Sequence, residues 1–241
     1  MNITLIHFFV GLLLLVVPLY LFWWLDKRLL RQAVVVVGRL AAALVLLTVC
    51  LHFLFLWDKA WLNVVWVLVA GGVATYCYCR KRWLYVPVYI GMSLSALLVG
   101  IVVTLLCHFN QGAFSAPLFI PVMSVLQADA LFVCRQGLTA YVLNIRQHGS
   151  LKEYLKGNGI SERDALRPFV AAAVKRAFTP VLHMMLLAGI VFVPSLVVGL
   201  LIGGISPMQA VGFTAVMTAA GLCCSVLALL VAIYFYICMK K

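Results

Sequence analysis

The stretch from Met208 to Met239 reads MQAVGFTAVMTAAGLCCSVLALLVAIYFYICM and contains no acidic or basic residue. It is long enough to cross the hydrocarbon core of a bilayer, which takes about 20 apolar residues. Water is absent there, so every backbone N–H and C=O group must be bonded within the segment, and a helix meets that requirement. The stretch is therefore predicted to be a transmembrane helix.

Further apolar segments of the same kind precede it. The chain has 241 residues, of which 66% are hydrophobic and 10% charged, too little polar surface to cover a soluble core. We predict an all-α, polytopic membrane protein of about seven transmembrane helices, forming a single transmembrane domain over residues 1–241. The predicted spans are Thr4–Leu25, Ala33–Leu56, Ala60–Cys79, Leu84–His108, Pro117–Ile145, Thr179–Gly203 and Met208–Met239.

Two details of these spans follow from local sequence. Met1–His7 contains no Lys or Arg, so the first span is predicted to be a retained helix and not a cleavable signal. Pro117 and Pro121 are predicted to break the outer end of the fifth span, because proline removes a helix hydrogen bond.

The basic residues between the spans predict the orientation. Lys59 is the one basic residue on the connectors of one side. Because Lys and Arg are retained in the cytoplasm, we predict the N-terminus outside and the C-terminus in the cytoplasm. The basic residues on the predicted cytoplasmic side are Lys27, Arg28, Arg31, Arg80, Lys81, Arg82, Arg146, Lys152, Lys156, Arg163, Arg167, Lys175, Arg176, Lys240 and Lys241.

The net charge of +12 does not indicate nucleic-acid binding, since the charges lie in short clusters between apolar runs. The eight cysteines lie within apolar segments, so no disulfide framework is expected. Cys77 with Cys79, and Cys223 with Cys224, could pack as small hydrophobes or bind a soft metal. We predict no metal site and no cofactor.

The longest connector, Arg146–Phe178, is much longer than a helix-to-helix turn requires. Ser150–Lys156 has a helical apolar pattern, and Gly157–Gly159 is predicted to end that helix. Ser161 is predicted to cap a second helix, which Pro168 would then kink or break. Such a segment suits docking onto a soluble partner, or an interfacial helix resting on anionic lipid. Composition leaves both interpretations open.

A few polar residues lie at membrane depth, where a charge is costly and marks a functional candidate. Asp129 lies well inside the fifth span, with Gln127 close by, and Arg39 lies in the second span. These three residues could line a translocation path. The alternative is a structural ion pair of Asp129 with Arg39 or Arg135.

A resemblance to known proteins begins in the connector. Glu153 followed six residues later by Gly159, an apolar stretch and Pro180 resembles the coupling loop of ABC-transporter permeases. Residues 189–194 and 199–210 are similar to the G-L-V-x-L-P-G-M-M-x-G and A-G-x-x-P-x-x-A motifs of the bacterial iron-export ABC permease family. The plant aluminium-sensitivity transmembrane proteins belong to the same family. Val37–Arg39 and Ile120–Pro121 resemble further family motifs.

The resemblance implies a permease subunit of an ABC transporter in the bacterial inner membrane, exporting a metal ion or a small solute. It implies a homodimer with a separate ATP-binding subunit on each copy. No G-x-x-x-x-G-K-[ST] motif is present, so ATP hydrolysis is expected on that partner and no catalytic residue on this chain. The residues expected to contact the ATP-binding subunit are Glu153, Tyr154, Leu155, Gly159 and Ser161.

The sequence departs from the family pattern at polar positions. Pro194–Val197 replaces P-G-M-M, and Tyr154 and Leu155 stand where alanines are usual. Two other functions therefore remain: an ATP-independent secondary carrier or channel, and a transport-inactive permease-like scaffold. An intramembrane enzyme is disfavoured, because no Ser/His pair or carboxylate dyad appears.

Overall fold

The computed structural model describes residues 13–79, 82–107, 114–188 and 194–240. The chain divides into two compact units, Met1–Trp57 and Asp58–Lys241, and each is described by itself. The described residues form helices joined by short connectors. The predicted all-α fold class is confirmed.

The first unit contains helices α1 (Val16–Leu25) and α2 (Lys27–Trp57). Asp26 separates them: its backbone N–H donates to the carbonyl of Phe22, and its Oδ1 accepts from the N–H of Arg28 at 2.8 Å. One aspartate thus ends α1 and caps α2. The predicted connector over residues 26–32 is therefore wrong, since only Asp26 interrupts the helices. The predicted first span begins outside the described residues.

The second unit carries the remaining described helices. Helices α4, α5 and α9 pack against one another at its centre, while α3 and α7 pack against α5. The elements are α3 (Ala60–Tyr78), α4 (Arg82–Leu106), α5 (Ala116–Gln147), α6 (Gly149–Gly157), α7 (Glu162–Leu187), α8 (Ser195–Ile202) and α9 (Pro207–Met239).

Six described helices are long and apolar enough to cross a membrane, and α1 is a shorter apolar helix. The predicted number of about seven is confirmed. The membrane-length segments are Lys27–Trp57, Ala60–Tyr78, Trp83–Leu106, Ala116–Gln147, Asp164–Leu187 and Pro207–Met239.

The sixth predicted span differs most from the structure. Helix α7 starts within the predicted connector and ends at Leu187, and the separate helix α8 starts at Ser195. The amphipathic segment after Ser161 is thus the first part of α7, and Pro168 does not break it. The carbonyl that Pro168 leaves without its helical partner belongs to Asp164, an exposed residue that water can solvate.

The predicted break in the fifth span is also absent, because α5 runs without interruption from Ala116 to Gln147. Pro117 lies in the first turn, where its missing N–H would have had no helical partner. Pro121 forgoes one bond, to the carbonyl of Pro117 four residues earlier. Both prolines are therefore compatible with a continuous helix.

The start of α5 is tied to the turn that precedes α3. Asp58 Oδ1 accepts from the N–H of Ala116 at 2.7 Å, and Asn63 Nδ2 donates to the carbonyl of Phe114 at 3.0 Å. These two bonds place the first residues of α3 and α5 at the same level. Because the two helices then run in the same direction, their residues can be compared by depth.

The opposite end of this unit is called here the basic end: the last turns of α3, α5 and α9, all of α6 and the first turns of α7. Aromatic rings pack there, with Trp83 5.8 Å and Tyr141 6.2 Å from Tyr236 between ring centroids. Such belts of tryptophan and tyrosine are typical of membrane–water interfaces.

Helices α4 and α9 approach closely through small residues. A Cβ atom added at Gly91 would lie 2.5 Å from the carbonyl oxygen of Ala228 and 3.0 Å from the Cβ of Ala232. Without a hydrophobic force between helices in lipid, such close backbone approach is a main source of helix association. Gly91 is therefore required by packing.

We expect Gly91→Ala to lower the midpoint of thermal unfolding of the detergent-solubilised protein, since overpacking typically costs about 1–3 kcal/mol. The matched control is Gly212→Ala on α9, where nothing lies within 4 Å of the added methyl group. That variant should be neutral or slightly more stable, because Ala is favoured over Gly in helices. Equal midpoints for the two variants would contradict the packing role of Gly91.

Candidate functional site

Asp129 lies on α5 and faces α9 at Gly221. A Cβ atom on Gly221 would lie 2.7 Å from Asp129 Oδ2, so only glycine leaves room for the carboxylate at this distance. Asp129 itself is exposed in the described chain. The carboxylate therefore has access to the space beside the two helices.

That space carries hydroxyl groups from α9. Thr214, Thr218 and Ser225 lie three or four residues from one another or from Gly221, so they share one helix face. The hydroxyl of Thr214 donates to the carbonyl of Ala210 at 2.8 Å, and that of Thr218 to the carbonyl of Thr214 at 2.7 Å. With their protons used in this way, both threonine oxygens can only accept. Next to a carboxylate, they favour a positively charged or donor-rich ligand.

Asp129 and these hydroxyls line a cavity of about 320 Å³ between α5, α7, α8 and α9. Ala188, Pro194 and Ser195 also line it, so the cavity lies where α7 has ended and α8 begins. Met184, Met185 and Met217 supply part of its apolar wall. We call it the Asp129 cavity.

Asp129 does not form the alternative ion pair with Arg135. The guanidinium of Arg135 instead lies over the ring of Tyr78, with its Cζ 4.0 Å from the ring centroid. Arg39 is exposed on α2, in the first unit.

Gln127 faces another neighbour. Its Nε2 donates to the carbonyl of Val67 on α3 at 3.2 Å, and its side chain is buried. A Cβ on Gly71 would lie 3.0 Å from the Gln127 amide. Gln127 thus connects α5 to α3 and is not among the residues that line the Asp129 cavity. Two positions along a helix correspond to a rotation of about 200° around its axis, so Gln127 and Asp129 point in nearly opposite directions.

The second candidate site is the segment of α6 and the following turn, residues 149–161. Helix α6 ends as predicted, with Gly159 at a φ of 78° and the N–H of Ile160 donating to the carbonyl of Leu155 at 3.2 Å. This is the Schellman arrangement, which glycine permits without steric cost. Ser161 then caps α7 as predicted, its Oγ accepting from the N–H of Asp164 at 3.2 Å.

Apolar side chains on this segment are exposed. Leu151 is 45%, Tyr154 68% and Ile160 39% exposed. Glu153 and Gly159 are exposed and Leu155 is half-buried. An ion pair links α6 to the start of α7, with Lys152 Nζ 3.8 Å from Glu162 Oε1. A helical surface with exposed apolar side chains can serve as a docking site for a partner.

The sequence interpretation missed the polar face of α9. Thr214, Thr218, Gly221 and Ser225 stand at helical spacing in an otherwise apolar segment, and that pattern is visible in the sequence. Among the residues that the structure describes, no group of three or more His, Cys, Asp or Glu side chains could hold a metal ion.

Residues 5–239 match the family described as "Uncharacterised protein family (UPF0014)". The chain belongs to this family. The chain is also similar to the "Probable iron export permease protein FetB" of Escherichia coli (strain K12), with 25% identity over 203 residues, which cover 82% of this chain and 77% of that protein. No solved structure matches the chain.

The predicted resemblance to the iron-export permease family is therefore confirmed, with this chain as a diverged member. The match covers both candidate sites, because it extends over residues 5–239. The membrane class predicted from composition is confirmed as well.

Proposed function

We propose that this chain is the permease subunit of an ABC transporter, which exports a metal ion or small solute with energy from a separate ATP-binding subunit. The observation that carries this proposal is the exposed, ordered segment of residues 149–161 at the basic end. The similarity to a probable iron export permease supports it. In this proposal the chain has no catalytic role of its own.

The length of α5 supports docking at this segment. Helix α5 has 32 residues, about 48 Å at 1.5 Å per residue, whereas the hydrocarbon core is about 30 Å thick. Its last turns therefore project from the membrane and carry α6 with them. Leu151, Tyr154 and Ile160 would then be apolar side chains in water, a common property of protein interaction sites.

The orientation and location follow from the same proposal. The basic end lies in the cytoplasm, where Lys and Arg are retained and where ATP is available to the partner. The membrane is the bacterial inner membrane. Glu153, Tyr154, Leu155, Gly159 and Ser161 are the residues proposed to contact or shape the docking site.

The Asp129 cavity is proposed as part of the translocation path. It lies beside an interruption between two helices, an arrangement found at substrate sites of many transporters. Its polar groups include the carboxylate and the threonine oxygens that only accept hydrogen bonds. A cation is thus the ligand class that the cavity favours. Gln127 and Arg39 are also proposed to line the path. Neither lines the Asp129 cavity, and Gln127 faces α3.

A second copy of the chain is proposed to cover the Asp129 face of α5. Ser124, Val125, Ala128, Asp129 and Phe132 are all exposed there. A carboxylate facing lipid costs about 2.5–3.5 kcal/mol at the membrane centre, and a protein surface with polar groups avoids that cost. The homodimer would enclose the two Asp129 cavities at or near its interface.

The interruption between α7 and α8 also favours a second candidate, an ATP-independent secondary carrier. Such carriers bind substrate at helix interruptions near the membrane midplane. The two candidates differ in their energy source. Export from proteoliposomes that needs ATP and the partner subunit supports the first, and export without either supports the second.

Replacing Tyr154 with Ala, or Gly159 with Val, should abolish co-purification of an ATP-binding subunit with the tagged chain. Tyr154→Ala removes an exposed aromatic anchor, a residue type that dominates binding energy at interfaces. Gly159→Val strains a backbone at φ 78° that β-branched residues avoid. The partner is identified by its Walker motif and by ATP hydrolysis in the purified complex.

Tyr234→Ala is the matched control, because Tyr234 is 64% exposed and lies outside the segment. It should leave co-purification unchanged. If Tyr154→Ala and Gly159→Val retain the subunit as fully as Tyr234→Ala does, residues 149–161 are not the docking site.

Asp129→Asn should reduce cation flux into or out of proteoliposomes at least about tenfold, because the charge that binds the cation is gone. Fe²⁺ is the first probe, given the similarity to a probable iron export permease. Gln127→Leu is the comparison: it should lower stability through the lost bond to Val67 but reduce flux per folded molecule less than Asp129→Asn does, because Gln127 does not line the Asp129 cavity. Undiminished flux in Asp129→Asn would remove Asp129 from the path, and undiminished flux in Gln127→Leu would remove Gln127 from it.

Ala128→Phe should convert a dimer to a monomer in size-exclusion chromatography with light scattering. A bulky side chain at a small interface residue prevents close helix approach. Leu98→Phe is the control, since Leu98 is 58% exposed on α4, away from that face. A wild-type protein that is monomeric under the same conditions would argue against the homodimer.

A further inference from the structure

Two arginines face one cavity between the last turn of α3 and the middle parts of α5 and α7, and this cavity shares no residue with either candidate site. Arg135 on α5 and Arg176 on α7 line a space of about 310 Å³. Tyr78, Gln136 and Thr139 supply its other polar groups. The cavity contains none of the residues assigned to the translocation path or to the docking segment.

No acidic residue is among those that line this cavity. Arg135 is half-buried and contacts the Tyr78 ring at 4.0 Å, so its position is fixed. A second cavity, at the basic end, contains Lys152, but there an acidic residue balances the charge: Glu162 Oε1 lies 3.8 Å from Lys152 Nζ. The cavity between Arg135 and Arg176 therefore has an excess of positive charge that an anion can neutralise.

The depth of the cavity identifies where that anion comes from. Asp58 holds the first residues of α3 and α5 at one level, 2.7 Å from the N–H of Ala116. Tyr78 and Arg135 are each about 27–29 Å further along their helices at 1.5 Å per residue. That distance is close to the thickness of the hydrocarbon core, about 30 Å. With these first residues at one boundary of the hydrocarbon core, Arg135 lies at the other boundary, next to the lipid phosphates, and Arg176 lines the same cavity.

The remaining walls fit a phosphate headgroup. Ala140 and Leu143 lie farther toward the basic end than Arg135, so they border the side of the cavity that faces away from the acyl chains. Guanidinium groups bind phosphate oxygens in bidentate pairs, and hydroxyl and amide groups can donate to the remaining oxygens. Basic pockets between transmembrane helices are known to bind phospholipid headgroups.

We propose that Arg135 and Arg176 bind the phosphodiester of a phospholipid headgroup in the leaflet at the basic end, with Gln136 and Thr139 as further donors. This site is separate from the proposed function and does not depend on it. A soluble phosphate shares the same chemistry, and the experiment distinguishes the two sources.

The test is a titration of the purified full chain with phosphatidylglycerol, followed by native mass spectrometry. Arg135→Gln and Arg176→Gln should each weaken the first lipid-binding step at least about tenfold, the loss expected for a hydrogen bond to a charged group. Lys175→Gln is the matched control. It removes the same charge from the neighbouring exposed residue, which does not line the cavity.

Inorganic phosphate at millimolar concentration serves as the soluble competitor. It should leave lipid binding unchanged, whereas efficient displacement would overturn the lipid assignment in favour of a soluble anion. Arginine variants that bind lipid as tightly as Lys175→Gln would overturn the site altogether. Arg176 is exposed, so Arg176→Gln is expected to fold. It therefore tests the site even if Arg135→Gln does not fold.

Discussion

A hydrocarbon layer about 30 Å thick, in which no backbone polar group can remain unpaired, is the constraint on which the second unit depends. Helix α3, with 19 residues, is about as long as the layer is thick, whereas α5 and α9, with 32 and 33 residues, exceed it. The bond from Ala116 to Asp58 holds α3 and α5 level at one end. The excess length of α5 over α3 therefore appears at the basic end, where α6 follows it. The same alignment sets the level of Arg135.

The end of α7 and the start of α8 obey the same constraint. Ala188 and Pro194 have non-helical backbone, which at membrane depth is tolerated where it lines a cavity instead of facing lipid. Both residues line the Asp129 cavity, so this backbone and the costly carboxylate lie in one place. Gly221 leaves room for the carboxylate, because a Cβ atom there would lie 2.7 Å from Asp129 Oδ2 and would force the carboxylate to move.

The sequence predicted those features that depend on local physics. Apolar runs located the helices, Gly159 the end of α6 and Ser161 the cap of α7. The continuity of α7 through Pro168 was not predicted, since it depends on whether water reaches the carbonyl of Asp164, a property of the folded chain. The sequence alone shows that Gln127 and Asp129 point to different sides of α5, because residues two apart cannot share one helix face. That Gln127 faces α3 while Asp129 faces α9 could be known only once the helices were packed.

The two charged sites on α5 also act on each other. Arg135 follows Asp129 by six residues, about 9 Å along the helix. Six residues also rotate the two side chains about 120° apart, and the Arg135 guanidinium lies over Tyr78, so the charges are farther apart than this rise. At an effective dielectric constant of 20, the repulsion between Arg135 and a cation at Asp129 is therefore below about 2 kcal/mol. A phosphate held between the two arginines removes much of this repulsion. Occupancy of the lipid site would then raise cation affinity at Asp129, through electrostatics alone and with no change in helix packing.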